Sequence, residues 1–163
     1  MILTPAHGTL PSGHATEAFV SAYVLWMLLR KSGTVPYRLG SWGVQFMRLA
    51  ARIAINRTVA GVHFPVDSAA GCLLGLTLGQ YFVARCTQPD GVAADYEAWK
   101  FDGPSYPTAG DRDFRWHKLY DVATRNQTKT AYAAQIGGAQ TLAAFGRSAS
   151  LAWLWRQARA EWR

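Results

Sequence analysis

The chain is poor in the residues that cross-link proteins and in those that make acidic surfaces. It has two cysteines in 163 residues, Cys72 and Cys86. Both fall in one apolar stretch of helical character, where their separation corresponds to about 21 Å, whereas a disulfide needs Cα atoms within about 7 Å. Pairing between them is excluded, and they assign no redox compartment. Acidic side chains are scarce as well, ten against seventeen Lys and Arg, for a net charge of +7. Residues 1–86 hold seven Lys/Arg against Glu17 and Asp67, a balance of +5, and residues 87–163 hold ten against eight, a balance of +2. A cleft of one sign concentrates the opposite ion, so a charge-poor but positive first half suits an anionic substrate. There is no Lys/Arg run, zinc pattern or aromatic RNA-binding motif, and the excess is not read as nucleic-acid binding. There is also no internal repeat and no strand-like alternation of any length. Half of the residues are hydrophobic, which argues against disorder, and the length suits one domain with a core.

Long hydrophobic runs fall short of what a membrane requires. Residues 15–29 are apolar but carry Glu17, and residues 68–84 are apolar but carry Gln80. Both are shorter than the ~20 residues of a typical span. Gly71, Gly75 and Gly79 form a small-residue ladder, which permits close helix approach in membranes and soluble cores alike. With mean hydropathy near zero, a soluble protein without a membrane partner is expected. The first residues have neither the charged start nor the apolar core of a signal peptide, and the compartment stays open.

What is present reads as helix. A first helix is expected over about residues 14–31, capped by Ser12, with a turn over 33–40 around Pro36. Ser41 is expected to cap a second helix, whose Trp42, Phe46, Leu49 and Ile53 recur at helical spacing as its core face, with Gln45, Arg48 and Arg52 elsewhere on its surface. That helix is expected to fray near Asn56, placing Arg57 in a loop. Pro65 fits the first turn of a third helix, where its missing N–H costs nothing. Residues 87–113, with three prolines and three glycines for turns but with Tyr96, Trp99, Phe101 and Tyr106 between them, read as an ordered connector or lid. Residues 114–163 read as a return to helix, split at Gly137-Gly138, with Trp153 and Trp162 as packing anchors and His117 structural or on the surface. The predicted organisation is a catalytic helical core over 1–86, the connector over 87–113, and a C-terminal helical extension of the same domain over 114–163.

Two strings carry chemistry. The first is Pro11-Ser12-Gly13-His14 at a helix start, where free N–H groups and the dipole favour an anion. Ser12 offers a hydroxyl and a backbone N–H, Gly13 lets backbone approach a ligand, and His14 in the first turn can protonate a leaving oxygen. Alone, the string is also an ordinary capped helix start. The second is Arg57, His63 and Asp67. A separation of four puts His63 and Asp67 on one helical face, so the carboxylate can take the imidazole Nδ1–H and leave Nε2 with an outward lone pair. That is what a nucleophile or an oxyanion-metal ligand requires. Arg57 can hold the same anion with a bidentate fork. Alone, such a His/Asp pair also describes a satisfied structural histidine.

Together the strings resemble two of the three signature blocks of the type 2 phosphatidic-acid phosphatase (PAP2) and vanadium haloperoxidase superfamily. Asn56 stands where that family usually has Ser, and the run from Gly61 to Gly71 is typical of it. The resemblance covers about residues 1–86 and implies an all-α helical bundle. It further implies catalytic roles for His14, His63 and Asp67: His63 attacks phosphorus, Asp67 orients it, and His14 acts as general acid and then activates water. Ser12, Gly13 and Arg57 would bind the phosphate or vanadate oxygens. The expected function is hydrolysis of phosphate monoesters through a phosphohistidine, with a small anionic phosphate ester as partner and no cofactor. The alternative is a vanadate-dependent haloperoxidase, with His63 as vanadate ligand and halide and hydrogen peroxide as partners. His7, seven residues before His14, is then a candidate halide-tuning position. The family's first block, Lys, six residues, then Arg-Pro, has no counterpart before Pro11. Lys31 and Arg38 have the gap but lack the Pro and the order, and a helix would put Lys31 about 25 Å from His14, so they read as coincidence. An upstream segment or a second chain is therefore expected to complete the site; the remaining alternative is a degenerate, non-catalytic helical module.

Overall fold

A computed structural model of the chain describes residues 8–30, 39–87, 94–137, 140–142 and 148–162. Three long helices form its core: α1 (Gly13–Arg30), α2 (Gly40–Val59) and α3 (Pro65–Thr87). Helix α1 starts where Ser12 predicts. The Ser12 Oγ accepts the Ala15 N–H at 3.4 Å and the Ser12 carbonyl accepts the Thr16 N–H at 3.0 Å, which satisfies two of the amides a helix start leaves open. Its buried residues include Ala15, Phe19, Ala22, Tyr23 and Trp26, spaced as one helical stripe.

The glycine ladder of α3 determines how the helices meet. A Cβ added at Gly71 would lie 2.6 Å from the Ser12 carbonyl oxygen, one at Gly75 2.5 Å from the Thr16 carbonyl oxygen, and one at Gly79 3.0 Å from the Tyr23 ring. Residue number rises along both helices through these contacts, so α1 and α3 run parallel with backbones nearly touching. Gly43 of α2 meets Trp26 near the end of α1, and Ile53 lines a groove with His14 near its start, so α2 runs antiparallel to α1.

Helix α2 departs from expectation at three points. Its N-cap is Leu39 in extended conformation without a side-chain cap, and Ser41 lies inside the helix. It does not fray at Asn56 but continues to Val59, so Arg57 belongs to its last turn. Its buried face is Gly43, Met47, Ala50, Ala51 and Ala54, whereas Trp42, Leu49 and Ile53 are exposed and Phe46 is half-buried. The small residues face inward because they let α2 press against the Trp26 indole; apolar periodicity marked the wrong stripe. The turn expected over 33–40 and Lys31 and Arg38 lie outside the described residues, apart from Leu39 and Gly40.

The second half is not the expected helical extension. Among the described residues it contains one α-helix, α4 (Ala149–Ala160), two single-turn 3-10 helices (Gly103–Ser105 and Trp116–Lys118), and three short antiparallel strand pairs. These are β1 (Ala94–Tyr96) with β6 (Gln140–Leu142), β2 (Trp99–Phe101) with β5 (Ala133–Gln135), and β3 (Tyr120–Asp121) with β4 (Asn126–Gln127). The fold is therefore mostly helical and not purely all-α. Each strand is two or three residues long, too short for alternation to register in sequence. Aromatic rings fasten this half to the helices: Phe114 lies edge-on to Phe19 at 5.9 Å, and Tyr120 edge-on to Tyr23 at 6.1 Å and to Trp26 at 6.5 Å. Gln127 is buried and its Nε2 donates to the Leu73 carbonyl of α3 at 3.0 Å. Ser148 caps α4 by accepting the Leu151 N–H, and the tryptophan that the helix buries is Trp155, while Trp153 and Trp162 are more exposed. Cys72 and Cys86 are buried thiols of α3. Among the described residues no helix is long and apolar enough to cross a membrane.

Candidate active site

The helix directions bring three termini to one end of the molecule. The N-terminus of α1 carries Ser12, Gly13 and His14. The C-terminal turn of α2 carries Arg57. The turn at 60–64 and the N-terminus of α3 carry His63 and Asp67. The Ser12 N–H donates to the Asp67 carbonyl at 3.0 Å and locks the start of α1 to the start of α3. Two helix N-termini thus point the same way, and their dipoles and open amides favour an anion at this end.

Asp67 is the hub. It is 2% exposed and occupies the third position of α3, with Phe64 as the residue before the helix. Its Oδ2 accepts the Phe64 N–H at 2.9 Å, as acidic residues at that helical position commonly do. The same Oδ2 lies 3.2 Å from His63 Nδ1. With the carboxylate ionised, Nδ1 carries the proton and Nε2 presents its lone pair. The sequence spacing anticipated the His63–Asp67 contact; it did not anticipate that the carboxylate also holds the turn.

Arg57 is half-buried, and its Nε is buried with no hydrogen-bond partner among the described residues. A buried guanidinium nitrogen without an acceptor is costly unless something fills the place, and an oxyanion would. The Arg57 carbonyl accepts the Val62 N–H at 3.1 Å, which ties the arginine to the turn that carries His63. Gly61 in that turn has φ +71°, a left-handed conformation open to glycine.

Ser12 is fully buried. Its backbone N–H is taken by Asp67 and its Oγ accepts from Ala15, so of the two donors expected of it the hydroxyl proton remains for an anion. The Ala15 and Thr16 amides bond to Ser12, which leaves those of Gly13 and His14 without an intrahelical acceptor. Nothing lies within 4 Å of the Gly13 Cβ position, so the space in front of it is open. His14 is exposed at the mouth of a groove of about 330 Å³ between α1 and α2. Phe46, Leu49 and Ile53 wall it, and Glu17 stands beside His14 at the next turn of α1. Sequence reading missed this groove because the residues at 46, 49 and 53 look like core; the small residues at 43, 50, 51 and 54 were the signal. His7 lies outside the described residues. Among the described residues no group of three or more His, Cys, Asp or Glu is placed to hold a metal ion.

Comparison with protein-family models matches residues 3–89 to the PAP2 superfamily. No curated protein and no solved structure matches the chain.

Proposed function

The chain belongs to the PAP2 superfamily, a group of phosphatases and haloperoxidases, and on that premise we propose that it hydrolyses phosphate monoesters through a phosphohistidine on His63. The observation that carries this reading is the 3.2 Å contact of His63 Nδ1 with an Asp67 carboxylate that is buried and anchored by the Phe64 N–H. Such a carboxylate is held in place, so His63 Nε2 stays aimed, and its negative charge faces the positive charge that develops on the ring during attack.

In the first step Nε2 attacks phosphorus and the bond to the ester oxygen breaks, with His14 giving that oxygen its proton. Arg57 and the open amides of Gly13 and His14 neutralise the non-bridging oxygens. In the second step His14, now neutral, takes a proton from water, the water oxygen bonds to phosphorus, and the P–N bond breaks to release phosphate and restore His63. The groove at His14 receives the organic part of the ester, since it opens beside the proton donor. An imidazole fixed from behind and a guanidinium with an unpartnered Nε suit any oxyanion of this shape, so vanadate also fits, with His63 as its ligand and Arg57 beside it. When bound it would supply peroxide activation for halide oxidation.

The test is hydrolysis of p-nitrophenyl phosphate with acid-quench trapping of phosphohistidine. His63→Ala is expected to lower kcat by about 10³-fold or more and to abolish the trapped adduct. Undiminished hydrolysis in that variant would remove His63 from the mechanism. Halide-dependent bromination of a dye by the vanadate-loaded chain with peroxide would replace the hydrolytic reading with the oxidative one.

A further inference from the structure

On the flank of α2 away from the His14 groove, a second hollow of about 350 Å³ opens between that helix and residues 114–117. Arg48, Arg52 and Asn56 line it from α2, and Arg115, Trp116 and His117 from the facing segment. Arg48, Arg52 and Asn56 follow one another at intervals of four, so they form a single row with about 6 Å between successive side-chain origins. Arg48 and Arg52 are exposed and form no ion pair with a described residue. Arg115 pairs with Asp111 at 3.2 Å, but that same carboxylate is shared with Lys118 at 3.0 Å, so one acid serves two cations. Asp113 lines an adjoining hollow, with Arg115 common to both. Asp121 lines a further adjoining hollow that shares Trp116 and His117, and counting Arg48, Arg52, Arg115 and Lys118 against Asp111, Asp113 and Asp121 leaves a surplus of one positive charge.

Like charges one turn apart destabilise a helix, and α2 carries this pair without a compensating acid anywhere in its length. A concave wall of arginines, an amide and an indole edge is a recognition surface for phosphate groups, which arginine holds in a planar fork. One phosphate can meet one arginine of the row; engaging Arg48, Arg52 and the facing Arg115 together takes a longer anion. We propose that this groove binds a small anion bearing two or more linked phosphate groups, at a site distinct in every residue from the one built on His63. Because both arginines are exposed, the binding is salt-sensitive.

The probe is sodium tripolyphosphate, titrated calorimetrically into the His63→Ala chain so that turnover does not intrude, with orthophosphate at matched ionic strength for comparison. Tripolyphosphate is expected to bind at least about tenfold tighter than orthophosphate, and Arg48→Gln/Arg52→Gln to lose at least about tenfold of that affinity with an unchanged circular-dichroism spectrum. Arg115→Gln, on the opposite wall, is expected to weaken binding independently of any change in α2. Equal affinity for the two anions, or tripolyphosphate binding that survives both sets of substitutions, overturns the proposal. So does tighter binding of a mixed-sequence single-stranded oligonucleotide than of tripolyphosphate, which would make the groove a nucleic-acid surface. Loss of phosphatase activity in His63→Ala does not bear on these outcomes.

Discussion

Asp67 does two jobs through one oxygen, and substitutions can separate them. Asp67→Asn keeps an acceptor for the Phe64 N–H but removes the charge that holds the His63 Nδ1–H and stabilises the imidazolium. Hydrolysis is expected to fall by about 10- to 100-fold with little change in melting temperature. Asp67→Ala leaves a buried amide and the imidazole unpaired and is expected to cost about 1–3 kcal/mol of stability besides the activity. Steady-state kinetics and a thermal melt on the two variants distinguish positioning from scaffolding: equal activity loss with equal destabilisation would make Asp67 structural. At this scale the sequence was most legible. The spacing of four anticipated the His63–Asp67 contact, although His63 reaches Asp67 from the turn before α3 and not from a shared helical face. Arg57 lies in the last turn of α2 and not in the loop expected, because nothing in Asn56-Arg57-Thr58-Val59 announces that α2 continues for another turn.

Among the elements, the parallel contact of α1 with α3 is the one on which the candidate site depends. Gly71→Ala places a methyl 2.6 Å from the Ser12 carbonyl oxygen and 2.8 Å from the Ala15 side chain, and neither backbone can yield without moving the helix start. Overpacking of this kind costs about 1–3 kcal/mol, so a drop in urea midpoint is expected, together with loss of activity out of proportion to the unfolded fraction. A variant that melts like the parent would mean that the helices part without consequence. The ladder was visible in sequence as Gly71, Gly75 and Gly79, but its partner was not, since a small-residue stripe says that something comes close and not what. The misread face of α2 has the same origin. Side-chain size decides which face can approach Trp26, and periodicity of apolar residues is blind to size. The strand pairs were illegible for a simpler reason: two or three residues of strand held by long-range pairing carry no local signature.

For the molecule as a whole, the helical layer and the strand-paired half are joined by buried phenols. Burial pushes the Tyr23 hydroxyl up to about 12 from 10.0, and Tyr120, whose OH is buried without a partner among the described residues, rises further for the same reason. In the unfolded chain both ionise near the ordinary value of 10.0. A raised folded-state value means that the neutral form is the one the fold accommodates. Stability is therefore fully present below pH 10 and declines as pH rises from 10 toward about 12, by about 2–3 kcal/mol for Tyr23 alone. The urea midpoint is expected to fall across that window, with tyrosinate absorbance for these two rings appearing only as the chain unfolds. A midpoint that is flat to the upper end of the window would show that the two halves separate without exposing Tyr23 and Tyr120. The +5 balance of residues 1–86 belongs to this scale too, because it sets the field in which both the His63 end and the Arg48–Arg52 groove meet an anion.

The bond from the Ser12 amide to the Asp67 carbonyl runs between main chains. No ordinary side-chain replacement at either position erases it; only proline at residue 12 would, by removing the donor. The reactive groups and the frame that aligns them are therefore separately heritable. A lineage could exchange Asp67, lose its chemistry and retain the alignment, then regain activity by a single reversion. The alignment of α1 with α3 thus rests on main-chain groups and on the glycines that let them meet, not on the side chains that react.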